Sequence, residues 1–187
     1  MIKVTLIGDS IRQIGYGPVV PGLLGGEYDV WQPSENCRFA QYTLRGMYDW
    51  KGGMEGSSVV HWNNGLWDAC DIFPEDGGLF TGLDFYVDTM TRIGRILTAR
   101  YPKVIFATTT PVRAENPNNR TEWVERYNAA VVPELMKLGI AINDIGGAVS
   151  QDIERYICDD LIHLSKDGID LCAGMVADSI RKAASEL

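Results

Sequence analysis

The stretch Val4-Thr5-Leu6-Ile7-Gly8-Asp9-Ser10-Ile11 begins with a short apolar run that ends in a glycine, an acid and a serine. A continuous apolar run of this length, closed by turn residues, is typical of a parallel strand that is buried on both faces. Four further runs of the same kind follow, at Tyr28–Trp31, Val59–Trp62, Val104–Ala107 and Ile140–Ile142. Together the runs predict a central, mostly parallel, five-stranded sheet.

Helical patterns lie between and after these runs. Apolar residues recur at three- and four-residue steps in three segments, Leu83–Leu97, Trp123–Leu135 and Ile169–Leu187. Gly139 is placed to end the second helix, and Ser165 is placed to cap the start of the third. The alternation predicts an α/β fold whose sheet is covered by helices on both faces. Ligands of such sheets bind beyond the carboxyl ends of the strands, so the residues that follow each strand are the candidates for chemistry.

Length and composition restrict the class of protein. The 187 residues fit a single domain, 1–187, and the net charge of −8 comes without any basic stripe, which argues against nucleic-acid or anionic-membrane partners. No segment approaches the roughly 18 apolar residues of a membrane helix. The first residues lack the features of a signal peptide, so we expect a cytoplasmic protein, or a secreted one if a leader has been removed. The four cysteines form no CxxC pair, which favours reduced, structural thiols.

Ser10 is a candidate nucleophile because it follows the first strand directly, on a turn that Gly8 makes permissive. A serine hydroxyl is a weak nucleophile until a base accepts its proton, so this interpretation requires a histidine nearby. The alternative is that Asp9 or Ser10 simply caps the helix that follows the turn.

The segment Asp160-Leu161-Ile162-His163 can supply that base. The two polar residues are three positions apart, so a single turn can bring the carboxylate to the imidazole and fix its tautomer. The alternative is a surface turn that leads into the last helix. The chain has two histidines, and His61 lies inside the run Val59–Trp62, where a packed or hydrogen-bonded core side chain is expected.

Donors for an oxyanion are predicted after the second and third strands. Asn63 follows the third strand directly, and a side-chain amide there can donate to a developing negative charge, although an Asn-Asn-Gly run also makes ordinary turns. Backbone N–H groups after the second strand, near Asn36 and Arg38, can add further donors. Cys37 in the same segment is a rival nucleophile for a Cys–His hydrolase, but that reading leaves the Ser10 turn unexplained.

In this order, the four segments resemble the SGNH (GDSL-like) hydrolase superfamily. That superfamily carries a GDS turn at the first strand, a glycine in a second block, an Asn after the third strand and a DxxH near the C-terminus. The third block usually reads GxND, whereas His61-Trp62-Asn63-Asn64 occupies those places here. The run Asn63-Asn64-Gly65-Leu66-Trp67-Asp68 is similar to a branch of the superfamily with an Asn-x-Gly-Leu-x-Asp third block. Arg38 stands in the place of the second-block glycine, since Gly46 belongs to the next helix.

The resemblance implies a flavodoxin-like three-layer α/β/α sandwich and hydrolysis of a carboxylic ester through an acyl-serine intermediate. It implies Ser10 as nucleophile, His163 as base and Asp160 as the group that orients the base. The oxyanion hole would consist of the backbone N–H groups of Ser10 and Arg38 and the side chain of Asn63, with Asn64 as the fallback. The resemblance implies no metal and no organic cofactor.

The substrate is expected to be a small-molecule or carbohydrate ester, with no nucleic-acid partner and no membrane insertion. Two loops, 68–82 and 109–120, are long enough to form pocket walls, and the second is polar, which favours a short acyl group on a sugar over a long acyl chain. A plain solvent-exposed loop is the alternative. Two other functions stay open: a non-catalytic module that binds phosphate or a small molecule at the Gly8–Ser10 turn, and an inactive scaffold. A phosphate binder would have no use for the DxxH segment.

Overall fold

The five apolar runs form one parallel sheet in the computed structural model, which describes residues 1–187. The strands are β1 (Ile2–Ile7), β2 (Tyr28–Trp31), β3 (Val59–Trp62), β4 (Lys103–Ala107) and β5 (Ala141–Asn143). Their order in the sheet is β2-β1-β3-β4-β5, and every neighbouring pair is parallel. The predicted five-stranded α/β fold is therefore confirmed.

Helices cover both faces of this sheet. A π-helical turn, Ile11–Tyr16, follows β1, and the α-helices are α1 (Val20–Leu24), α2 (Ala40–Asp49), α3 (Lys51–Met54), α4 (Leu83–Arg100), α5 (Thr121–Lys137), α6 (Ile145–Val149), α7 (Ile153–Tyr156) and α8 (Lys166–Ala184). Helix α4 packs against α2, α5 and β4, whereas α8 packs against α1, the π-helical turn and strands β3 to β5. No helix is long and apolar enough to cross a membrane.

The predicted helix boundaries agree with the local geometry. Ser165 caps α8, because its Oγ accepts a hydrogen bond of 3.1 Å from the Gly168 N–H. Gly139 lies just beyond α5 with a positive φ of 77°, a conformation that glycine adopts without steric cost. The last strand begins one residue later than predicted, since the Ile140 N–H donates to the Leu135 carbonyl at the end of α5.

Strand register brings the nucleophile turn and the third block together. Ile7 on β1 pairs with Trp62 on β3, so Gly8 and Asn63 leave the sheet side by side. The Asn63 N–H then donates to the Ile7 carbonyl at 3.1 Å. Segments that are more than fifty residues apart in sequence therefore meet at the carboxyl edge of the sheet, where parallel sheets bind their ligands.

Candidate active site

The turn at Ser10 depends on a close approach between Gly8 and Asn63. A Cβ at position 8 would overlap Asn63 Oδ1 and press against the side chain of Arg12, so only glycine fits there. Ser10 follows as the residue before the π-helical turn, and its side chain is half-buried. Its hydroxyl therefore lies at the carboxyl edge of the sheet, partly open to solvent.

The side-chain amide of Asn63 is fixed at both ends. Its Nδ2 donates to Asp9 Oδ1 at 3.0 Å, and its Oδ1 accepts a hydrogen bond of 2.8 Å from the Tyr16 hydroxyl. Asp9 Oδ1 also accepts the Ile11 N–H at 3.0 Å, which ties the same carboxylate to the π-helical turn. An amide nitrogen carries two hydrogens, so Asn63 retains one N–H for another acceptor.

Asp9 is a fully buried carboxyl group at the centre of this network. Burial raises its pKa, and the hydrogen bonds from Asn63 and Ile11, together with the charges of Arg12 and His163, lower it only in part.

The second-block segment is attached to the third block through Asn64. Its Nδ2 donates to the Arg38 carbonyl at 2.7 Å, and its Oδ1 accepts a hydrogen bond of 2.7 Å from Trp62 Nε1. Arg38 has a positive φ of 50°, the left-handed conformation that a glycine at this position would adopt most easily. Its N–H donates to Asn36 Oδ1 at 2.8 Å, so this predicted oxyanion donor is engaged by a neighbouring side chain.

Asp160 and His163 form a close pair. His163 Nδ1 lies 2.7 Å from Asp160 Oδ2, and Asp160 Oδ1 accepts the backbone N–H groups of Ile162 and His163 at 3.0 and 2.9 Å. Partial burial raises the pKa of Asp160, but these hydrogen bonds outweigh it and hold the pKa well below its ordinary value. The carboxylate is therefore charged at neutral pH and oriented toward Nδ1, which leaves Nε2 as the nitrogen that can exchange a proton.

The turn that carries this pair packs against the π-helical turn that follows Ser10. Ile157 and Leu164 form an antiparallel bridge at its base, and Leu161 has a positive φ of 74° at its tip. Leu164 packs over Gly15 of the π-helical turn, where a Cβ would lie 3.3 Å from Leu164 Cδ1. The residue that follows His163 therefore contacts the turn that follows Ser10. No hydrogen bond joins Ser10 Oγ to His163.

Arg113 supports the histidine turn from outside, a role that nothing in the sequence pattern indicated. Its guanidinium donates to the Ile157 carbonyl at 2.6 and 3.0 Å and to the Glu154 carbonyl at 2.9 Å. Its backbone N–H donates to the Leu161 carbonyl at 3.0 Å. Arg113 therefore holds the strained tip of the turn to the loop that follows β4.

The polar loop 109–120 was expected to offer a rim for substrate, but several of its side chains bind the protein itself. Besides Arg113, Asn119 Nδ2 donates to the Leu66 and Ala69 carbonyls at 2.8 and 3.1 Å, and Arg120 stacks on Trp123 at 5.1 Å. The side chains of Arg113 and Asn119 are therefore engaged within the protein. Exposed rings lie instead in the third block itself, at Trp67, and in the other loop, at Phe73 and Phe80.

The two rival residues occupy poor positions for catalysis. His61 is fully buried on β3, its Nε2 lies 3.3 Å from Asn143 Nδ2, and burial lowers its pKa to about 3. Cys37 is also fully buried, and burial raises the pKa of its thiol, which disfavours the nucleophilic thiolate.

All four cysteines are free. No group of three or more His, Cys, Asp or Glu side chains is arranged to hold a metal ion.

Asp68, at the end of the third block, holds the start of α2 against the site. Its two carboxylate oxygens accept the Ala40 N–H at 3.2 and 3.0 Å, and its side chain is buried. Burial raises its pKa to about 7 from the usual 3.8, and the hydrogen bonds from Thr81 and Ala40 offset only part of the shift. Asp68 is therefore a second buried carboxyl group, beside Asp9, at this edge of the sheet.

We expect Asp68→Asn to make folding stability less dependent on pH. Between pH 3.8 and about 7 the folded protein retains a proton on Asp68 that the unfolded chain releases, so the free energy of unfolding falls as pH rises through this window. The full shift corresponds to about 4 kcal/mol. The asparagine can still accept the Ala40 N–H but has no proton to lose. Urea unfolding of both proteins at several pH values measures this: parallel curves from pH 4 to 7 would contradict the raised pKa.

Solved structures with the same architecture are esterases and acyl hydrolases. An acetyl xylan esterase, AlAXEase, superimposes with a TM-score of 0.78 over 96% of this chain and 100% of its own, at 18% identity. A lipase/acylhydrolase from Enterococcus faecalis gives a TM-score of 0.78 over 97% and 96% of the two chains, also at 18% identity. Axe2, an acetylxylan esterase from Geobacillus stearothermophilus, gives 0.76 over 96% and 94%, at 17% identity.

These similarities establish the fold that the chain shares with those enzymes. No protein-family model matches the sequence, and no curated protein matches it. The assignment of chemistry to this chain therefore depends on its own side chains.

Proposed function

We propose that this protein is a serine esterase that hydrolyses short-chain carboxylic esters. The observation that supports the proposal is the Asp160–His163 pair, with its 2.7 Å contact, on a turn whose Leu164 packs against Gly15 of the π-helical turn that follows Ser10. A carboxylate on Nδ1 keeps the proton on that nitrogen, so Nε2 is available as a general base. A core histidine or a helix cap would have no use for this arrangement.

The acylation step follows from these positions. Ser10 Oγ attacks the ester carbonyl carbon as its proton moves to His163 Nε2, and Asp160 stabilises the imidazolium that forms. When the tetrahedral intermediate collapses, the bond to the alcohol oxygen breaks and the alcohol takes the proton from Nε2. Water then attacks the acyl-serine with the same base, and Ser10 Oγ leaves as the hydroxyl. Because Ser10 and His163 are not hydrogen-bonded in the free protein, this contact would tighten when substrate binds.

The oxyanion would be held by donors from three segments. The backbone N–H of Ser10 and the second N–H of Asn63 Nδ2 are available, whereas the Arg38 N–H joins them only if Asn36 releases it. Asn64 also has a second amide hydrogen and remains the fallback for Asn63. Each such donor contributes about 3–4 kcal/mol in comparable sites.

The proposed substrate class is an acetyl or similarly short acyl ester on a carbohydrate. The acetyl xylan esterases with the same fold favour it, although they share only 17–18% of their residues with this chain. The exposed rings of Trp67 in the third block and of Phe73 and Phe80 in the loop after it offer apolar surface, which suits the face of a sugar ring.

A substrate panel tests this proposal. We expect p-nitrophenyl acetate and acetylated xylo-oligosaccharides to be hydrolysed at least about tenfold more efficiently, in kcat/KM, than p-nitrophenyl octanoate, since a site for short acyl groups gives the added methylenes of octanoate nothing to contact. Greater efficiency on the octanoate would contradict the short-acyl assignment. Phosphate binding without hydrolysis of any ester would favour the non-catalytic module instead.

A further inference from the structure

The side chain of Arg12 is a buried cation next to the nucleophile turn that the mechanism above does not use. It lies in the π-helical turn two residues after Ser10 and is only 1% exposed. No carboxylate lies close enough to form an ion pair with it; its partners are three backbone carbonyls, Gln32 Oε1 at 3.4 Å and Cys37 Sγ. A buried guanidinium is costly unless its N–H groups are hydrogen-bonded. The hydrogen bonds of Arg12 in turn hold the bonded carbonyls at fixed positions.

The carbonyls that Arg12 binds belong to two separate segments. Nη2 donates to the Gly8 carbonyl at 3.0 Å and to the Glu35 carbonyl at 2.6 Å, and Nη1 donates to the Pro33 carbonyl at 2.8 Å. Nη2 also lies 3.5 Å from Cys37 Sγ. Gly8 begins the nucleophile turn, whereas the other three residues lie in the loop that leads to Arg38. One planar fork therefore spans the gap between the turn and this loop.

The proposed oxyanion hole has donors on both of these segments, the nucleophile turn and the loop that leads to Arg38. The Ser10 N–H lies on one side of the gap between them and the Arg38 N–H on the other. A backbone hydrogen bond from the Cys37 N–H to the same Gly8 carbonyl, 3.0 Å long, follows the same path. Donors of an oxyanion hole act only when they are held at fixed positions before the reaction, so the spacing of the two segments bears directly on the rate.

We propose that Arg12 is a positioning residue that sets the separation of the nucleophile turn from the second-block loop. The inference rests on the proposed esterase function for its kinetic part and on the hydrogen bonds alone for its structural part. A lysine at this position keeps the charge but has one ammonium in place of a fork, so it cannot reach all of the carbonyls at once. We expect kcat of Arg12→Lys to fall by about ten- to a hundredfold, with KM changed less than about threefold, because the donors shift but the substrate surface does not.

The experiment combines kinetics with hydrogen exchange. The kinetic part compares kcat and KM for p-nitrophenyl acetate in wild type, Arg12→Lys, Arg12→Met and the control Arg95→Lys, which changes an exposed arginine on α4 in the same way. The exchange part follows the Cys37 amide, which the bond to Gly8 protects, against the Asn63 amide bonded to Ile7. We expect Arg12→Lys to speed exchange at Cys37 more than at Asn63, and Arg95→Lys to change neither.

The two measurements test the kinetic role and the positioning role of Arg12 separately. Wild-type kcat in folded Arg12→Lys, or a change confined to KM, would overturn the kinetic role, and unchanged exchange at Cys37 would overturn the positioning itself. If Arg12→Met does not fold, the lysine variant still gives both readings. If wild type shows no hydrolysis that depends on Ser10, the proposed esterase function fails, and the exchange of Cys37 still tests the positioning claim.

Discussion

Ser10→Ala is expected to reduce the hydrolysis of p-nitrophenyl acetate by roughly four to six orders of magnitude, to the background rate. The change removes the only atom that can form the acyl intermediate in the proposed mechanism, while the hydroxyl is half-buried and contributes little to packing. The variant should therefore unfold at the same urea concentration as wild type. Initial rates at saturating substrate, with enzyme concentration corrected for folded protein, measure the loss.

Two variants serve as controls for this prediction. Ser34→Ala changes an exposed serine in the loop between β2 and α2, close to the site in sequence but outside the proposed chemistry. Cys37→Ser tests the rival nucleophile at a position where burial raises the pKa of the thiol. Ser34→Ala should retain hydrolysis within about threefold of wild type, whereas Cys37→Ser, which alters a group beside Arg12, should lose far less activity than Ser10→Ala. Loss in Cys37→Ser with retention in Ser10→Ala would reverse the assignment.

Asp160→Asn is expected to lower kcat by about 10⁴-fold. The Ile162 and His163 N–H groups both donate to Oδ1, so the asparagine oxygen is held on that side and its amide nitrogen must face His163 Nδ1. An N–H donor there favours the tautomer with the proton on Nε2, which cannot accept the proton of Ser10. The variant should fold normally, because the two backbone hydrogen bonds remain.

The control for Asp160→Asn is the neighbouring Asp159→Asn. Asp159 is fully exposed and interacts with Arg113 only at 3.4 Å, so its loss should leave kcat within about twofold of wild type. Stopped-flow or steady-state rates with p-nitrophenyl acetate distinguish the two. Equal effects of both substitutions would mean that the loop needs negative charge in general, and the orienting role of Asp160 would be wrong.

The sheet and the long helices could be predicted from sequence because their signals are local. The run Val59–Trp62 is buried at all four positions, and the stripe within Leu83–Arg100 has the spacing of one helix face. The short helices gave no such signal: Ile145–Val149 holds two glycines in five residues, and Ile153–Tyr156 is a single turn. Their conformation depends on caps from Asp144 and Asp152, whose carboxylates accept N–H groups three residues on.

The candidate site also contains local contacts, which the sequence predicts, and contacts between distant segments, which it does not. Asp160 and His163 are three residues apart, so their pairing could be predicted from one turn of chain. The groups that orient Asn63 and the second-block loop could not, because each contact joins distant segments. Tyr16 lies 47 residues from Asn63, and Arg12 lies 23 residues from Glu35. The hydrogen bond from the Arg38 N–H to Asn36 joins neighbouring residues, but it depends on the positive φ of Arg38. Arginine rarely adopts a positive φ, so the sequence gives no signal of it.

Covalent labelling of the nucleophile tests the esterase assignment most directly. Wild-type protein is incubated with a fluorophosphonate, which phosphonylates activated serines, and the site of the adduct is mapped by mass spectrometry of peptides. We expect one adduct per chain, on Ser10, with no adduct in Ser10→Ala and much slower labelling in Asp160→Asn. An adduct on another residue, or a wild-type protein that hydrolyses esters while Ser10 stays unlabelled, would contradict the assignment of Ser10 as the nucleophile.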